Sequence, residues 1–210
     1  MSPKDSPAEQ PVTASATLHS TPVFDVVEET FGFGAGGEEL TRAYMRHLSA
    51  VAVLAVGSDD RVLLINQYRH PARARLWELP AGLLDAEGET MLTTAQRELH
   101  EEADLYADTW HTLVDFHTSP GCSDEAIRIY CARDLTEVPA HERHTRDEEE
   151  AELETRWVPL DEAVRAVLDG GIHNPTAVSG LLALHAVRTG TGALRSADSP
   201  WEHHPRGFTV

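Results

Sequence analysis

Apolar and polar positions alternate in several short runs near the start of the chain, which predicts strands there. PVFDVVEETF (22–31) and ELTRAYMRHL (39–48) flank the glycine-rich turn GFGAGG and read as a hairpin. SAVAVLAV (49–56) and RVLLINQY (61–68) flank GSDD and read as a second hairpin in a more buried sheet. A short apolar piece, LWELP (76–80), precedes the loop AGLLDAEGE (81–89). From Thr90 to Ala103 the period becomes helical, with Leu92, Ala95, Leu99 and Ala103 recurring at steps of three or four. WHTLVDFH (110–117) and EAIRIYCARDL (125–135) are strand candidates around the loop TSPGCSDE. An acidic loop, Arg143 to Glu150, leads into the alternating ELETRWVPL (152–160).

Two helices follow. DEAVRAVLDG (161–170) stops at a glycine, and NPTAVSGLLALHAV (174–187) opens with Asn174 as N-cap and Pro175 at the first helical position. Strands with helices interleaved, in no regular strand–helix–strand order, predict a mixed α/β domain. Four segments result: a tail over 1–20, rich in Pro, Ser and Ala and read as disordered; a β arm over 21–48; the main domain over 49–189; and a loose tail over 190–210. The chain shows no internal repeat.

Composition narrows the function. At 210 residues with 41% hydrophobic and 25% charged residues, the chain suits one soluble domain with an arm and tails. AVAVLAV is too short to cross a bilayer, and the first twenty residues lack the apolar stretch of a secretory signal. Two cysteines, Cys122 and Cys131, make no disulfide framework, so the expected compartment is the cytoplasm. With 17 basic against 35 acidic residues the net charge is −18, which argues against a nucleic-acid surface. A phosphate-bearing small molecule remains compatible, because divalent cations reverse the sign of a local site.

The chemistry concentrates in RELHEEADL (97–105). On a helix, Glu98, Glu101 and Glu102 fall within an arc of roughly 100° beside the apolar stripe. The plain alternative is a solvated acidic face. Against it, like charges this close cost on the order of a few kcal/mol when poorly solvated. Glu101 and Glu102 also occupy the last turn, where the helix dipole disfavours anions. Arg97 offsets one of them, not three. A hard divalent cation relieves such a cluster, since Mg²⁺ takes carboxylate oxygens and keeps waters and phosphates as its other ligands.

With Gly82 and Glu89 upstream, the stretch GLLDAEGETMLTTAQRELHEEADL resembles the Nudix box of the Nudix hydrolase superfamily. Glu89, Arg97, Glu98, Leu99, Glu101, Glu102 and Leu105 match the box in register. Two departures stand out. Six residues rather than five separate Gly82 from Glu89, and Asp104 stands where the pattern has glycine. Asp tolerates a left-handed helix end better than most residues, so the helix stop is expected to survive.

The resemblance implies an α/β/α sandwich around a mixed sheet and hydrolysis of a nucleoside diphosphate linked to another group. It also implies metal ligation by Glu98, Glu101, Glu102 and the Ala81 carbonyl. Mg²⁺ is the expected ion, with Mn²⁺ as a substitute, and Glu89 and Arg97 orient the carboxylates.

QYRHPARARLWELPAGLLD, SPGCSDE and RWVPLDEA further resemble the bacterial ADP-ribose pyrophosphatase branch, over about Phe24 to Gly190. Pro120, sixteen residues beyond Asp104, also matches that branch. This implies hydrolysis of ADP-ribose to AMP and ribose 5-phosphate. Alternatives are another sugar nucleotide, such as ADP-glucose or GDP-mannose, or a sensor that binds ADP-ribose without cleaving it.

In RDEEEAELETRW, Glu149 best matches the family's base, with Glu150 as the alternative; Glu148 is adjacent. Arg69 matches a diphosphate contact, and Glu125 a contact to the terminal ribose. Arg73 and Arg75 suit surface charges equally. Phe31, Phe33 and Tyr44 are candidates for stacking on adenine. The arm resembles the one through which this branch forms domain-swapped homodimers. His141 and His144 lack the HExxH zinc pattern, and GFGAGG lacks the Lys-Ser/Thr of a P-loop.

Overall fold

The computed structural model describes residues 3–34, 36–146, 152–202 and 204–205. Strand β4 (Ala50–Ala55) is buried along its whole length, as its near-continuous apolar run requires. Neighbouring side chains of a strand point to opposite faces, so β4 feeds two cores. Ala50, Ala52 and Leu54 pack with helices α2 (Leu160–Leu168) and α3 (Pro175–Arg188). Val51, Val53 and Ala55 pack with α1 (Met91–Ala103) on the other face.

Strands β11 (Arg195–Ser196), β8 (Leu105–His117), β9 (Ala126–Glu137), β4 and β7 (Ala81–Leu83) form a five-stranded sheet in that order. β4 and β9 run parallel and the remaining pairs antiparallel. The expected α/β/α sandwich around a mixed sheet is what the chain adopts. Strands β10 (Glu154–Pro159), β5 (Arg61–Arg69) and β6 (Ala74–Glu78) make a second sheet.

Helix ends follow local chemistry. Thr90 caps α1, accepting the Thr93 N–H at 3.1 Å. Asp104 ends it in the left-handed conformation at φ 54°, as its position in the box predicts. Asn174 accepts the Thr176 and Ala177 N–H groups at the start of α3, with Pro175 in the first turn.

Three expectations change. β4 and β5 are not a hairpin: each belongs to a different sheet, and they share only the bridge Val56↔Val62. The edges of β4 are already taken by β9 and β7. The expected disordered tail over 1–20 also fails from Val12 onward. β1 (Val12–Ser20) pairs with β2 (Phe24–Phe33), which pairs with β3 (Glu38–His47), so the arm is three-stranded. Proline-rich composition masked the Val and Thr residues that suit an edge strand.

Nor is the described part of the segment after 189 loose. β11 pairs with β8, and Trp201 sits over a fully buried guanidinium, that of Arg128, at 5.6 Å from the ring centroid. Arg128 donates to both oxygens of Asp115, at 2.7 and 3.0 Å, and to the Ser199 carbonyl at 2.8 Å. Burial would lower its pKa, but Asp115 holds it above the ordinary value. Arg195 shares the same carboxylate at 2.9 Å. A buried charge deprived of its partner is expensive. Asp115→Ala is therefore expected to lower stability by about 3–5 kcal/mol in urea unfolding, and Asp115→Asn by less.

Candidate active site

Residues Met91, Thr94, Ala95, Glu98, Leu99 and Glu102 form the buried stripe of α1. Glu98 and Glu102 thus lie within the stripe, not beside it as the apolar pattern alone suggests. Buried carboxylates need partners. Glu102 Oε2 accepts the Ala81 N–H of β7 at 2.8 Å. Glu98 Oε1 accepts Nη1 of Arg97 at 2.6 Å. Gly82 makes this approach possible: a Cβ there would sit 1.9 Å from Glu98 Oε1 and 2.0 Å from its Cδ.

Arg97 also donates to Glu101 at 3.1 Å and to Glu89 at 3.4 Å. Burial alone would lower its pKa, but Glu98, Glu101 and Glu89 hold it well above the usual value. Glu89 accepts the Thr94 hydroxyl at 2.9 Å. The box residues therefore form one hydrogen-bonded group against β7.

A cleft of about 710 Å³ opens beside β7, lined by His47, Arg69, Glu78, Ala81, Gly82 and Glu125 among others. That volume falls in the range of small-molecule sites. Arg69 pairs in two-point fashion with Glu78, at 3.1 and 2.9 Å. Glu78 is buried, and nothing in the apolar pattern of LWELP singled it out; the one signal was an acid inside a strand. Glu125 accepts the Thr118 hydroxyl at 2.6 Å and lies 3.6 Å from Nδ1 of His47, which accepts the Ser49 N–H at 3.1 Å.

Other candidates separate from this cleft. Phe31 and Tyr44 line a different depression, together with Pro120 and Cys122, and Phe33 is exposed. Arg75 pairs with Glu152 at 2.5 Å, and Arg73 sits in a left-handed turn. His141 and His144 are exposed. Cys122 and Cys131 are free thiols. Glu149 and Glu150, like Glu148, lie outside the described residues.

Among the described residues, no three His, Cys, Asp or Glu side chains converge as a closed metal cage. Mg²⁺ asks for less, taking one or two carboxylates and completing its shell with water and phosphate. The donors are all hard oxygens, and Arg97 is shared by Glu89, Glu98 and Glu101 while Glu102 adds a further carboxylate. That donor set fits a hard divalent cation. Gly82→Ala is expected to displace the Glu98 carboxylate and raise the Mg²⁺ concentration needed for half-activity by about 10- to 100-fold. A Mg²⁺ titration of activity checks this, and an unchanged midpoint would contradict it.

Comparison with known proteins agrees with the geometry. A family model described as the NUDIX domain matches residues 45–177. The chain is 44% identical to an ADP-ribose pyrophosphatase of Mycobacterium tuberculosis over 197 residues, 94% of this chain and 93% of the relative. It is 33% identical to an ADP-ribose pyrophosphatase of Bacillus subtilis, over 76% of this chain and 83% of the relative. A crystal structure of an ADP compounds hydrolase superposes with a TM-score of 0.72, covering 90% of this chain and 99% of that one at 23% identity, which speaks to fold alone. With the box helix, the sandwich and these matches together, the chain belongs to the Nudix family.

Proposed function

We propose that the protein is a divalent-metal-dependent hydrolase that converts ADP-ribose and water into AMP and ribose 5-phosphate. The observation that carries this reading is the box helix held against β7. Its carboxylates meet the strand that lines the cleft, and Arg69 stands on the same cleft. The likeness to two relatives named ADP-ribose pyrophosphatase selects the substrate.

Glu98, Glu101, Glu102 and the Ala81 carbonyl would hold Mg²⁺, with Mn²⁺ as a substitute. The bound ions would neutralise the diphosphate and lower the pKa of the attacking water. Glu89 and Arg97 keep the carboxylates oriented through the hydrogen bonds described above. Arg69, braced by Glu78, presents a guanidinium suited to phosphate oxygens. Glu125 takes the terminal ribose. Glu149, or its neighbour Glu150, accepts the proton of the attacking water; this assignment rests on sequence.

The arm supports a homodimer. All nine residues of β1 are exposed, and Val12, Leu18 and Phe33 lie bare to solvent in the single chain. A second copy, exchanging arms, would cover this surface. Phe31, Phe33 or Tyr44 would then supply the adenine contact. Two free thiols fit a reducing compartment such as the cytoplasm. Among the described residues, no helix is long and apolar enough to cross a membrane.

The deciding experiment incubates the protein and Mg²⁺ with ADP-ribose, ADP-glucose, GDP-mannose and NADH separately and resolves the products. ADP-ribose is expected to be cleaved fastest, and Glu102→Gln to lower kcat by about 10²-fold or more without loss of fold. Preference for another sugar nucleotide, or full activity in that variant, would refute the assignment. Sedimentation is expected to report a dimer; a fully active monomer would refute the exchange of arms.

A further inference from the structure

The end of β3 is stitched to the loop that precedes β9. Met45 bridges to Ser123, donating its N–H to the Cys122 carbonyl at 2.9 Å and accepting the Asp124 N–H at 3.1 Å. Two residues on, the His47 N–H donates to Oδ1 of Asp124 at 2.6 Å. These bonds bring His47 beside Glu125, and both line the cleft that also holds Arg69.

The ring of His47 is held in one orientation and one tautomer. Its Nδ1 accepts the Ser49 N–H at 3.1 Å, which leaves the ring proton on Nε2. Ser49 is fully buried and left-handed at φ 66°, a conformation that a residue with a side chain rarely adopts. Its N–H is committed to His47, its carbonyl accepts the Leu84 N–H at 3.1 Å, and its hydroxyl accepts the Ala126 N–H at 3.3 Å. Backbone strain of this kind persists only where the surroundings over-determine it, and here it aims an N–H at the imidazole.

Because Nδ1 is already an acceptor, its 3.6 Å approach to Oε1 of Glu125 is not a hydrogen bond. Glu125 is anchored through its other oxygen, Oε2, by the Thr118 hydroxyl at 2.6 Å. Two groups on the cleft wall are therefore left without a hydrogen-bond partner among the described residues: the Nε2–H donor of His47 and the Oε1 acceptor of Glu125. Their side chains are only 14% and 25% exposed, so a ligand that satisfies both gains more than it would at an open surface.

We propose that His47 and Glu125 together bind two neighbouring hydroxyls of the substrate's terminal sugar, which makes His47 a specificity-determining residue; the proposal rests on the ADP-ribose reading above. One hydroxyl donates to Oε1 of Glu125, and its neighbour accepts from Nε2–H of His47. Glu125 alone would accept from any hydroxyl, and the His47 donor adds the second point that reads a pair. A deoxy sugar leaves one of the two protein groups unpaired, and a site built around hydroxyls penalises that loss.

The test measures inhibition of ADP-ribose hydrolysis by ribose 5-phosphate, 2-deoxyribose 5-phosphate and AMP in the parent, His47→Phe, His47→Gln and Glu125→Ala. In the parent, 2-deoxyribose 5-phosphate is expected to inhibit about 10-fold more weakly than ribose 5-phosphate. His47→Phe keeps a flat ring and removes the donor. It should raise KM for ADP-ribose and the inhibition constant of ribose 5-phosphate about 10-fold, and bring the two sugar phosphates within about twofold of each other. AMP inhibition should move by no more than about twofold. His47→Gln returns an N–H and should recover part of the distinction, whereas Glu125→Ala should lose it. A purely structural role for His47 would weaken all three inhibitors alike, and that result would overturn the proposal. Should His47→Phe fail to fold, the parent's own distinction between the two sugar phosphates, and its loss in Glu125→Ala, carry the test.

If the parent leaves ADP-ribose uncleaved, the substrate reading falls and the hydroxyl pairing falls with it. If ADP-ribose is cleaved while both sugar phosphates inhibit the parent equally, or while His47→Phe keeps the parental distinction, the role of His47 alone is overturned.

Discussion

The missing side chain at Gly82 is the constraint from which the rest of the site follows. Only a bare backbone lets α1 lie close enough to β7 for Glu98 to occupy the space a Cβ would fill. The same approach brings Glu102 onto the Ala81 N–H. One strand thereby immobilises two carboxylates that a helix alone would leave to solvent. β7 is an edge strand of the five-stranded sheet and also a wall of the cleft, so the box helix packs on a strand that borders a space of small-molecule size.

Hydrogen bonding explains how such a helix tolerates its carboxylates. Arg97 answers three carboxylates, Glu89 ahead of the helix and Glu98 and Glu101 along it, through contacts of 3.4 Å or less. The backbone answers the fourth, Glu102. Arg146 adds a second guanidinium at the C-terminal end, where it meets both a bare carbonyl and the Asp104 carboxylate. Hydrogen-bonded anions of this kind tolerate burial that an isolated carboxylate does not. The arrangement still leaves acidic charge in excess, and an excess of hard oxygen donors is what a divalent cation and a diphosphate jointly require.

Periodicity made the sandwich legible because it reports burial directly. The unbroken apolar run of β4 says that both faces are covered, and both are. The helix cap at Asn174 was legible for a local reason, since its side chain bonds to N–H groups two and three residues on, whereas Thr90, read as part of the helix, turned out to be its cap. Partners distant in sequence were not legible. Nothing in LWELP says that Glu78 will brace Arg69, and nothing in the tail says that Ser199 and Trp201 will enclose Arg128. A turn between two apolar runs looks like a hairpin whether or not the strands share a sheet, which is why β4 and β5 were misread. Composition misled at β1, because its hydrogen bonds depend on the open edge of β2 rather than on its own hydrophobicity.

The cleft lies where the two sheets meet, and that location has a physical reason. β5 and β6 end in Arg69 and Glu78, while β7 contributes Ala81 and Gly82 only a few residues after β6. The short connection through Leu79 and Pro80 passes the chain from one sheet to the other, so the Arg69–Glu78 pair and the backbone of β7 line the same cleft. Leu79 is fully buried in the core shared with α2 and α3, which anchors that connection. Arg69 thus reaches the cleft already paired with Glu78, which braces its guanidinium there.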